Sequence, residues 1–411
     1  MTTKQLFKKI LPKTAINQYL HLKSWYGSTP YALKNKILAS LTSFDLRPSP
    51  TNKLVTPKNS HIEITNSCNL NCVMCQTKES KRKVGLMKYD LFDHAVNQIT
   101  ASGINNVALQ TVGETFIHHD LDRFVKKLHN NGIKINISTN AQFPDKLISL
   151  KENNPDAIDL YRISLESASK EMYELFRRGG KFELLIESFE KIKEYNLNNK
   201  NKINVTIKAL IGEENLYDLL DIMKLQSKYD FVTGVNFNLI DKNNATNNDN
   251  GVSISLGDER KGSETSSMQL DNLFGGYEYC RQPFLGAHVT YNGDVTLCCR
   301  DYEADLVVGN IKEETLQNIW DSEKSEKLRK KFIPKEKNIV PPTRACVGCE
   351  SAINGVAPLV NDYVQYIYLT KGKRLTKEEF GDAIKDFLND LNNYSEKNKI
   401  NDLSEVMKKH L

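Results

Sequence analysis

The chain has 411 residues, of which 26% are charged and 39% apolar, and its formal net charge is +5. That length supports two or three domains with a sizeable core, and the charge is too small to argue by itself for a nucleic-acid partner. No run approaches the roughly 20 apolar residues that a bilayer-spanning helix needs, so no transmembrane segment is expected.

Lys and Arg dominate residues 1–57, where Asp45 is the single acid. The stretch ends in Arg47-Pro48-Ser49-Pro50, which reads as a basic helical extension followed by a connector. It has no apolar signal core or small-residue cleavage site, so it does not read as a leader. Its charge reads as a solvated face, with docking to an acidic partner or a membrane surface as the alternative.

From residue 58 the pattern alternates. Strands are expected at His61–Thr65, Asn106–Thr111, Ile133–Ser138, Leu160–Leu165, Ile203–Ile211 and Val235–Leu239. Helices are expected at Tyr89–Ala101, Leu121–Asn130, Leu147–Asn153, Phe182–Tyr195 and Leu216–Leu225. Six strands alternating with helices indicate a parallel α/β architecture over 58–245. The count fits a partial (βα)6 TIM-like barrel, although the pattern alone also admits a doubly wound sheet. In a barrel the site is built by the loops after the strands. Residues 246–279 continue a stretch rich in Asn, Ser, Asp and Gly and read as a flexible linker or lid. Residues 280–350 carry a second group of cysteines, and 351–411 read as a helical tail opened by the capping-box pattern Thr376-Lys-Glu-Glu379.

Eight cysteines in a chain with no leader point to a reducing compartment, and a cytoplasmic location is expected. Three of them form the run Cys68-x3-Cys72-x2-Cys75, directly after the first strand. Structural zinc loops pair C-x2-C with a second pair or with histidines, and this loop has neither. A [4Fe–4S] cluster normally takes four thiolates. Three thiolates leave one iron open to bind a substrate or cofactor.

Here the sequence resembles the radical SAM superfamily, over about residues 58–245. The likeness rests on the three cysteines and on later segments that fall in the family's order. The resemblance implies that Cys68, Cys72 and Cys75 bind a [4Fe–4S] cluster whose open iron chelates S-adenosylmethionine. It also implies that reductive cleavage then gives a 5′-deoxyadenosyl radical. Val112-Gly113-Glu114-Thr115 is similar to the family's G-G-E-P, which places Gly113 and Glu114 at the methionine ammonium. Val112 and Thr115 depart from that pattern, and a glycine turn with a solvated Glu is the alternative. Ser138-Thr139-Asn140-Ala141 is similar to T-N-G, which places Ser138 and Asn140 near the ribose. Ala141 replaces the glycine, and a helix N-cap at Asn140 is the alternative. Ser164-Leu165-Glu166 resembles S-[LI]-[DE], and Arg177-Arg178-Gly-Gly-Lys-Phe182 resembles R-x-G-G-x-F. These imply cofactor contacts at Ser164, Glu166 and Arg177, with Arg177 meeting the methionine carboxylate. For Arg177 the alternative is a surface cation near a helix end. Met74 stands where the family has an aromatic near the adenine.

In the second group, Asn292-Gly293 between β-rich runs signals a hairpin that carries Cys298 and Cys299. Cys280, Cys298, Cys346 and Cys349 could ligate a second [4Fe–4S] cluster or a zinc ion, and spacing fits either. Residues 280–350 resemble a SPASM/twitch extension, and the absence of cysteines after Cys349 implies its shorter form with one auxiliary [4Fe–4S] cluster. Cys299 is left over, either as a bystander or as a hydrogen-atom donor to a product radical. The expected activity is hydrogen abstraction from a polar small-molecule substrate such as a sugar or aminocyclitol, giving dehydrogenation or epimerisation. An external electron donor such as flavodoxin or ferredoxin is implied. The alternatives are a peptide-modifying maturase and a non-catalytic iron–sulfur protein.

Overall fold

A computed structural model describes residues 57–75, 77, 80–211, 215, 218–239 and 282–332. Residues 1–56 of the basic extension, the 246–279 linker, Cys280, Cys346, Cys349 and the 351–411 tail lie outside the described residues.

Six strands pair in chain order: β1 (Ser60–His61), β2 (Asn106–Ala108), β3 (Lys134–Thr139), β4 (Ile158–Ser164), β5 (Val205–Ile211) and β6 (Val232–Leu239). Every pairing is parallel. Parallel neighbours need crossovers, which here are the helices α1 (Tyr89–Ala101), α2 (Leu121–Asn130), α3 (Pro144–Asn153), α4 (Lys170–Phe176), α5 (Phe182–Asn198) and α6 (Leu219–Lys228). Among the described residues β1 and β6 do not pair, so the sheet is an unclosed partial barrel. The helices bury stripes at helical spacing: Phe92, Ala95, Val96 and Ile99 on α1, and Leu121, Phe124, Val125 and Leu128 on α2. The strands bury apolar residues such as Ile135, Ile137, Ile163, Val205 and Ile207 beneath them.

Several bounds differ from the sequence expectation: β2 ends at Ala108, α6 runs from Leu219 to Lys228 and β6 begins at Val232, and β1, α3 and α4 differ as well. The first strand is only Ser60–His61, although Ile62 N–H still donates to Ala108 O at 2.9 Å, and the residues after it also meet the extension on their other edge. Ile62 bridges Val289, and Glu63 N–H donates to Val289 O at 2.8 Å. Helix α3 starts three residues early, with Pro144 in its first turn. Helix α4 was not anticipated. It has seven residues and is capped by the Ser169 hydroxyl, which accepts from Met172 N–H.

The extension contains α7 (Gln282–Leu285), the antiparallel strands β7 (His288–Val289), β8 (Asp294–Thr296) and β9 (Val307–Asn310), then α8 (Leu316–Asp321) and α9 (Glu323–Lys330). The Asn-Gly turn joins β7 to β8 as expected, with Gly293 at φ +94°. The extension docks on the open β1 edge. Lys58 N–H donates to Leu285 O at 2.8 Å, and Val289, Val295, Leu297, Val308 and Trp320 join the same apolar core as Ile62 and Ile64. Among the described residues no helix is long and apolar enough to cross a membrane.

A buried carboxylate sits at this joint. Glu63 accepts both arms of Arg82 at 2.6 and 2.9 Å, the Thr111 hydroxyl at 2.7 Å and Tyr291 N–H at 3.3 Å. One side chain thereby ties the end of β1 to the loop before α1, to the β2 exit and to the extension hairpin. Breaking a buried pair strands the other charge. Arg82→Met is therefore expected to cost about 3–5 kcal/mol in unfolding free energy, measured by urea denaturation.

Candidate active site

The loops after the strands surround one cavity of about 820 Å³. The three-cysteine loop forms part of its wall, through Cys68, Cys72, Met74 and Cys75. This loop has no regular structure of its own, and its backbone is held by neighbours. Asn71 N–H donates to Arg178 O at 2.8 Å, and Val73 N–H to Phe176 O at 2.9 Å. Ser67 O accepts from Glu114 N–H at 2.8 Å, and Asn69 Oδ1 accepts from Asn140 Nδ2 at 2.9 Å. The loop is thus fastened to the exits of β2 and β3 and to the turn after α4. Met74 is buried with Val73 and Phe176.

Two buried carboxylates organise those exits. Glu114 accepts from Phe116 N–H at 3.1 Å, the Thr139 hydroxyl at 2.8 Å and Asn140 N–H at 2.7 Å. Burial pushes its carboxyl above the usual range, against the pull of these donors. Glu114 is therefore a buried clamp between the β2 and β3 exits, not a solvated acid. Glu166, just past β4, pairs with Arg177 at the end of α4 through both Nε and Nη2, the latter at 2.8 Å. Its backbone carbonyl accepts from Asn215 Nδ2 at 2.7 Å. Arg177 is buried, not a surface cation. Burial alone would lower its pKa, but the Glu166 carboxylate and Cys72 outweigh that and keep the guanidinium charged. Its Nη1 lies 3.8 Å from Cys72 Sγ.

Backbone shape accounts for two further positions. Gly113 has φ +80°, and a Cβ there would stand 2.6 Å from Thr65 O and 2.7 Å from Ser67 O. Only glycine fits against that backbone. Ala141 has φ +57°, so alanine occupies the left-handed turn where the expected motif has glycine. Asn140 does not cap a helix. Its Oδ1 accepts from Gln142 N–H at 3.1 Å, and α3 begins only at Pro144.

The donor set fits an iron–sulfur cluster. Cys68 Sγ accepts from Leu70 N–H at 3.4 Å, and Cys75 Sγ lies 3.0 Å from the Thr77 hydroxyl. Hydrogen bonds to the sulfurs of this kind tune a cluster's potential. Among the described residues no three thiol, imidazole or carboxylate groups converge on one ion-sized point. Burial pushes the Cys68 thiol up to about 11 and the Cys72 thiol up to about 12. Loading a cluster must therefore release protons.

The cavity wall also carries Gly113, Glu114, Ser138, Asn140, Ser164, Glu166 and Arg177. Cys299 stands on it too, and burial pushes its thiol up. Cys298 turns away and packs beside Phe284, Leu306 and Phe332. Sequence reasoning passed over Arg162, Lys208, Asn236 and Arg300, which line the same cavity. The available signal was polar residues at alternate positions of otherwise apolar strands, as in Arg162 with Ser164 and Thr206 with Lys208.

A family model described as the radical SAM superfamily matches residues 62–225, and one described as an iron–sulfur cluster-binding domain, SPASM, matches 280–350. The chain belongs to the radical SAM superfamily. With its SPASM domain, it belongs to a class that uses S-adenosylmethionine and [4Fe–4S] clusters. A GTP 3′,8-cyclase of Clostridium botulinum (strain Okra / Type B1) is 27% identical over 168 residues, and a probable GTP 3′,8-cyclase of Pyrococcus abyssi is 25% identical over 163. The matches cover 40% and 39% of this chain, which spans about half the length of either relative, 51% in both cases. Streptococcus suis SuiB bound to S-adenosylmethionine superposes with a TM-score of 0.54 at 16% identity, covering 79% of each chain. The structure of anSMEcpe with bound AdoMet and the Cp18Cys peptide gives 0.51 at 18%, covering 82% of this chain and 98% of that one. These two likenesses are of fold.

Gly113→Ala tests how tightly the cysteine loop is seated. The backbone conformation alone costs about 1–3 kcal/mol, and the clash with Thr65 O and Ser67 O adds to it. A lowered melting temperature together with lost iron per chain is expected, read by thermal denaturation and iron assay.

Proposed function

We propose that this chain abstracts hydrogen from a polar small molecule, leading to dehydrogenation or epimerisation. The observation that carries the reading is the convergence of the three-cysteine loop and the strand-exit segments on one cavity. When bound, S-adenosylmethionine on the reduced cluster supplies a 5′-deoxyadenosyl radical, and the cofactor carries the hard chemistry. Cys68, Cys72 and Cys75 hold the cluster. The chain around Gly113, with Ser138, Asn140 and Ser164, forms the cofactor's bed. Glu114 shapes that bed by fixing the β2 and β3 exits, and Arg177 offers Nη1 beside Cys72 while Glu166 holds the rest of its fork.

A cavity of about 820 Å³ is at the upper end for one drug-sized ligand. Shared with a cofactor, it leaves room for a small molecule, which favours that substrate class over a long peptide. Cys280, Cys298, Cys346 and Cys349 would hold one auxiliary [4Fe–4S] cluster, which would supply an electron acceptor for a dehydrogenation. Cys299 lines the cavity, and in this reading it returns a hydrogen atom in an epimerisation, the alternative being a bystander of the hairpin.

Anaerobic reduction with S-adenosylmethionine should release 5′-deoxyadenosine from the wild type and none from Cys68→Ala, Cys72→Ala or Cys75→Ala, measured by chromatography. Intact S-adenosylmethionine under strong reductant would reject the reading. Iron and sulfide should each reach about eight per chain for two [4Fe–4S] clusters, whereas about four iron and one zinc would assign the second group to zinc.

Cys299→Ala should keep its iron and its release of 5′-deoxyadenosine but lose incorporation of solvent deuterium into product. Undiminished incorporation would remove Cys299 from the mechanism.

A further inference from the structure

The cysteine loop is closed at its neck by one side chain. Asn66, two residues before Cys68, is buried. Its Nδ2 donates to Lys83 O at 2.9 Å, and its Oδ1 accepts from Gly85 N–H at 2.8 Å. The amide thus pairs with the chain beyond Cys75 much as a strand's backbone would. The Thr65 hydroxyl adds to the neck, donating to Gly85 O at 2.9 Å and accepting from Ser67 N–H at 2.9 Å. Cys68, Cys72 and Cys75 all lie between the two sides of this neck, and Asn66 and Ser67 line the cavity.

The extension holds the same neck. Tyr291, in the turn between β7 and β8, lays its ring against Gly85. A Cβ at Gly85 would stand 2.7 Å from Tyr291 Cδ2 and closer still to Cε2. The Tyr291 hydroxyl donates to Lys83 O at 2.7 Å, the carbonyl that Asn66 also uses, and a carbonyl has lone pairs for both. Glu303, beyond β8, accepts from Lys81 N–H at 3.1 Å. Tyr291 and the strands β7 and β8 do not line the cavity. A buried amide is costly to leave unpaired, so a shift of Lys83 and Gly85 carries Asn66 with it. Asn66 adjoins Ser67, whose carbonyl accepts from Glu114 N–H, and Cys68 follows directly.

We propose that Tyr291 is a positioning residue for the S-adenosylmethionine site, holding the neck of the cysteine loop from the extension. The path runs from the ring on Gly85 and the hydroxyl on Lys83 O, through the Asn66 amide, to Ser67 and Cys68. The proposal rests on the reading that Cys68, Cys72 and Cys75 hold the cluster, and not on the substrate class. Coupling between two sites is reciprocal. Cofactor bound at the cysteine loop must therefore steady the hairpin in turn, although the hairpin strands stand outside the cavity.

The test uses reconstituted holoenzyme under anaerobic conditions, with S-adenosylmethionine binding followed by isothermal titration calorimetry. Tyr291→Ala removes the ring, and Gly85→Ala displaces it while leaving Tyr291 in the chain. Each should weaken binding at least about fivefold with iron per chain unchanged. Both break one contact, so the double variant should lose no more than the larger single loss, within about twofold. Tyr291→Phe keeps the ring and should recover most of the affinity. Hydrogen exchange on the wild type should show S-adenosylmethionine slowing the amides of residues 289–296, and Tyr291→Ala should abolish that protection. Unchanged affinity in either single Ala variant, losses that add in the double variant, or a hairpin indifferent to S-adenosylmethionine would each overturn the proposal. Iron lost from both single Ala variants would make the contact one of assembly and overturn the positioning role. Cys72→Ala is scored separately. Iron and cofactor binding retained there sink the reading of the cysteine loop, whereas their loss there with binding intact in Tyr291→Ala sinks the positioning role alone.

Discussion

The pairing of Glu166 with Arg177 is the interaction on which the site depends. Both groups are buried, so each needs the other to offset lost hydration. A pair of this kind adds little net stability, but its geometry is demanding, and that demand fixes the turn after α4. The cysteine loop has no secondary structure to hold it and hangs its backbone on that turn, through Phe176 O and Arg178 O. The same guanidinium faces Cys72. A carboxylate on β4's exit thereby determines where the thiols stand, through a helix of seven residues.

Much of this was legible in the residues because it follows from local periodicity. Helices α1 and α2 have the bounds their apolar spacing predicts. What escaped depends on contacts between distant segments. Beyond the short first strand Ile62 N–H still donates to Ala108 O, while Val289, over two hundred residues later, bridges Ile62 and accepts from Glu63 N–H on the other edge. Helix α4 is too brief for its few apolar residues to show a period, and its cap at Ser169 is the one local sign. The motif residues were found, but their partners were not. Nothing local says that Glu114 spends its oxygens on Thr139 and Asn140, or that Arg177's fork is filled by Glu166. Arg162 and Lys208 were readable as polar breaks in apolar strands, whereas Arg300 belongs to the cavity only because the extension docks where it does.

Two left-handed residues, Gly113 and Ala141, illustrate how far chain sterics explain the departures from the expected motifs. At Ala141 the turn demands positive φ but nothing beyond it, and alanine bears a modest strain. At Gly113 the same demand comes with two backbone oxygens at less than 3 Å from any Cβ, so no substitution is accommodated. The motif's glycines are therefore not equivalent. One is a conformational preference, and the other is a close approach between the β2 exit and the cysteine loop.

A second buried pair, Glu63 with Arg82, completes the cavity from the other side. It sits where β1, the β2 exit and the extension hairpin meet, and the extension shares one apolar core with the barrel. Cys299, Arg300 and Tyr302 reach the cavity only through that docking. Arg82 also donates to Tyr302 O at 3.3 Å, which links the joint to the chain that presents them. One buried pair thus seats the thiols and the other seats the opposite wall.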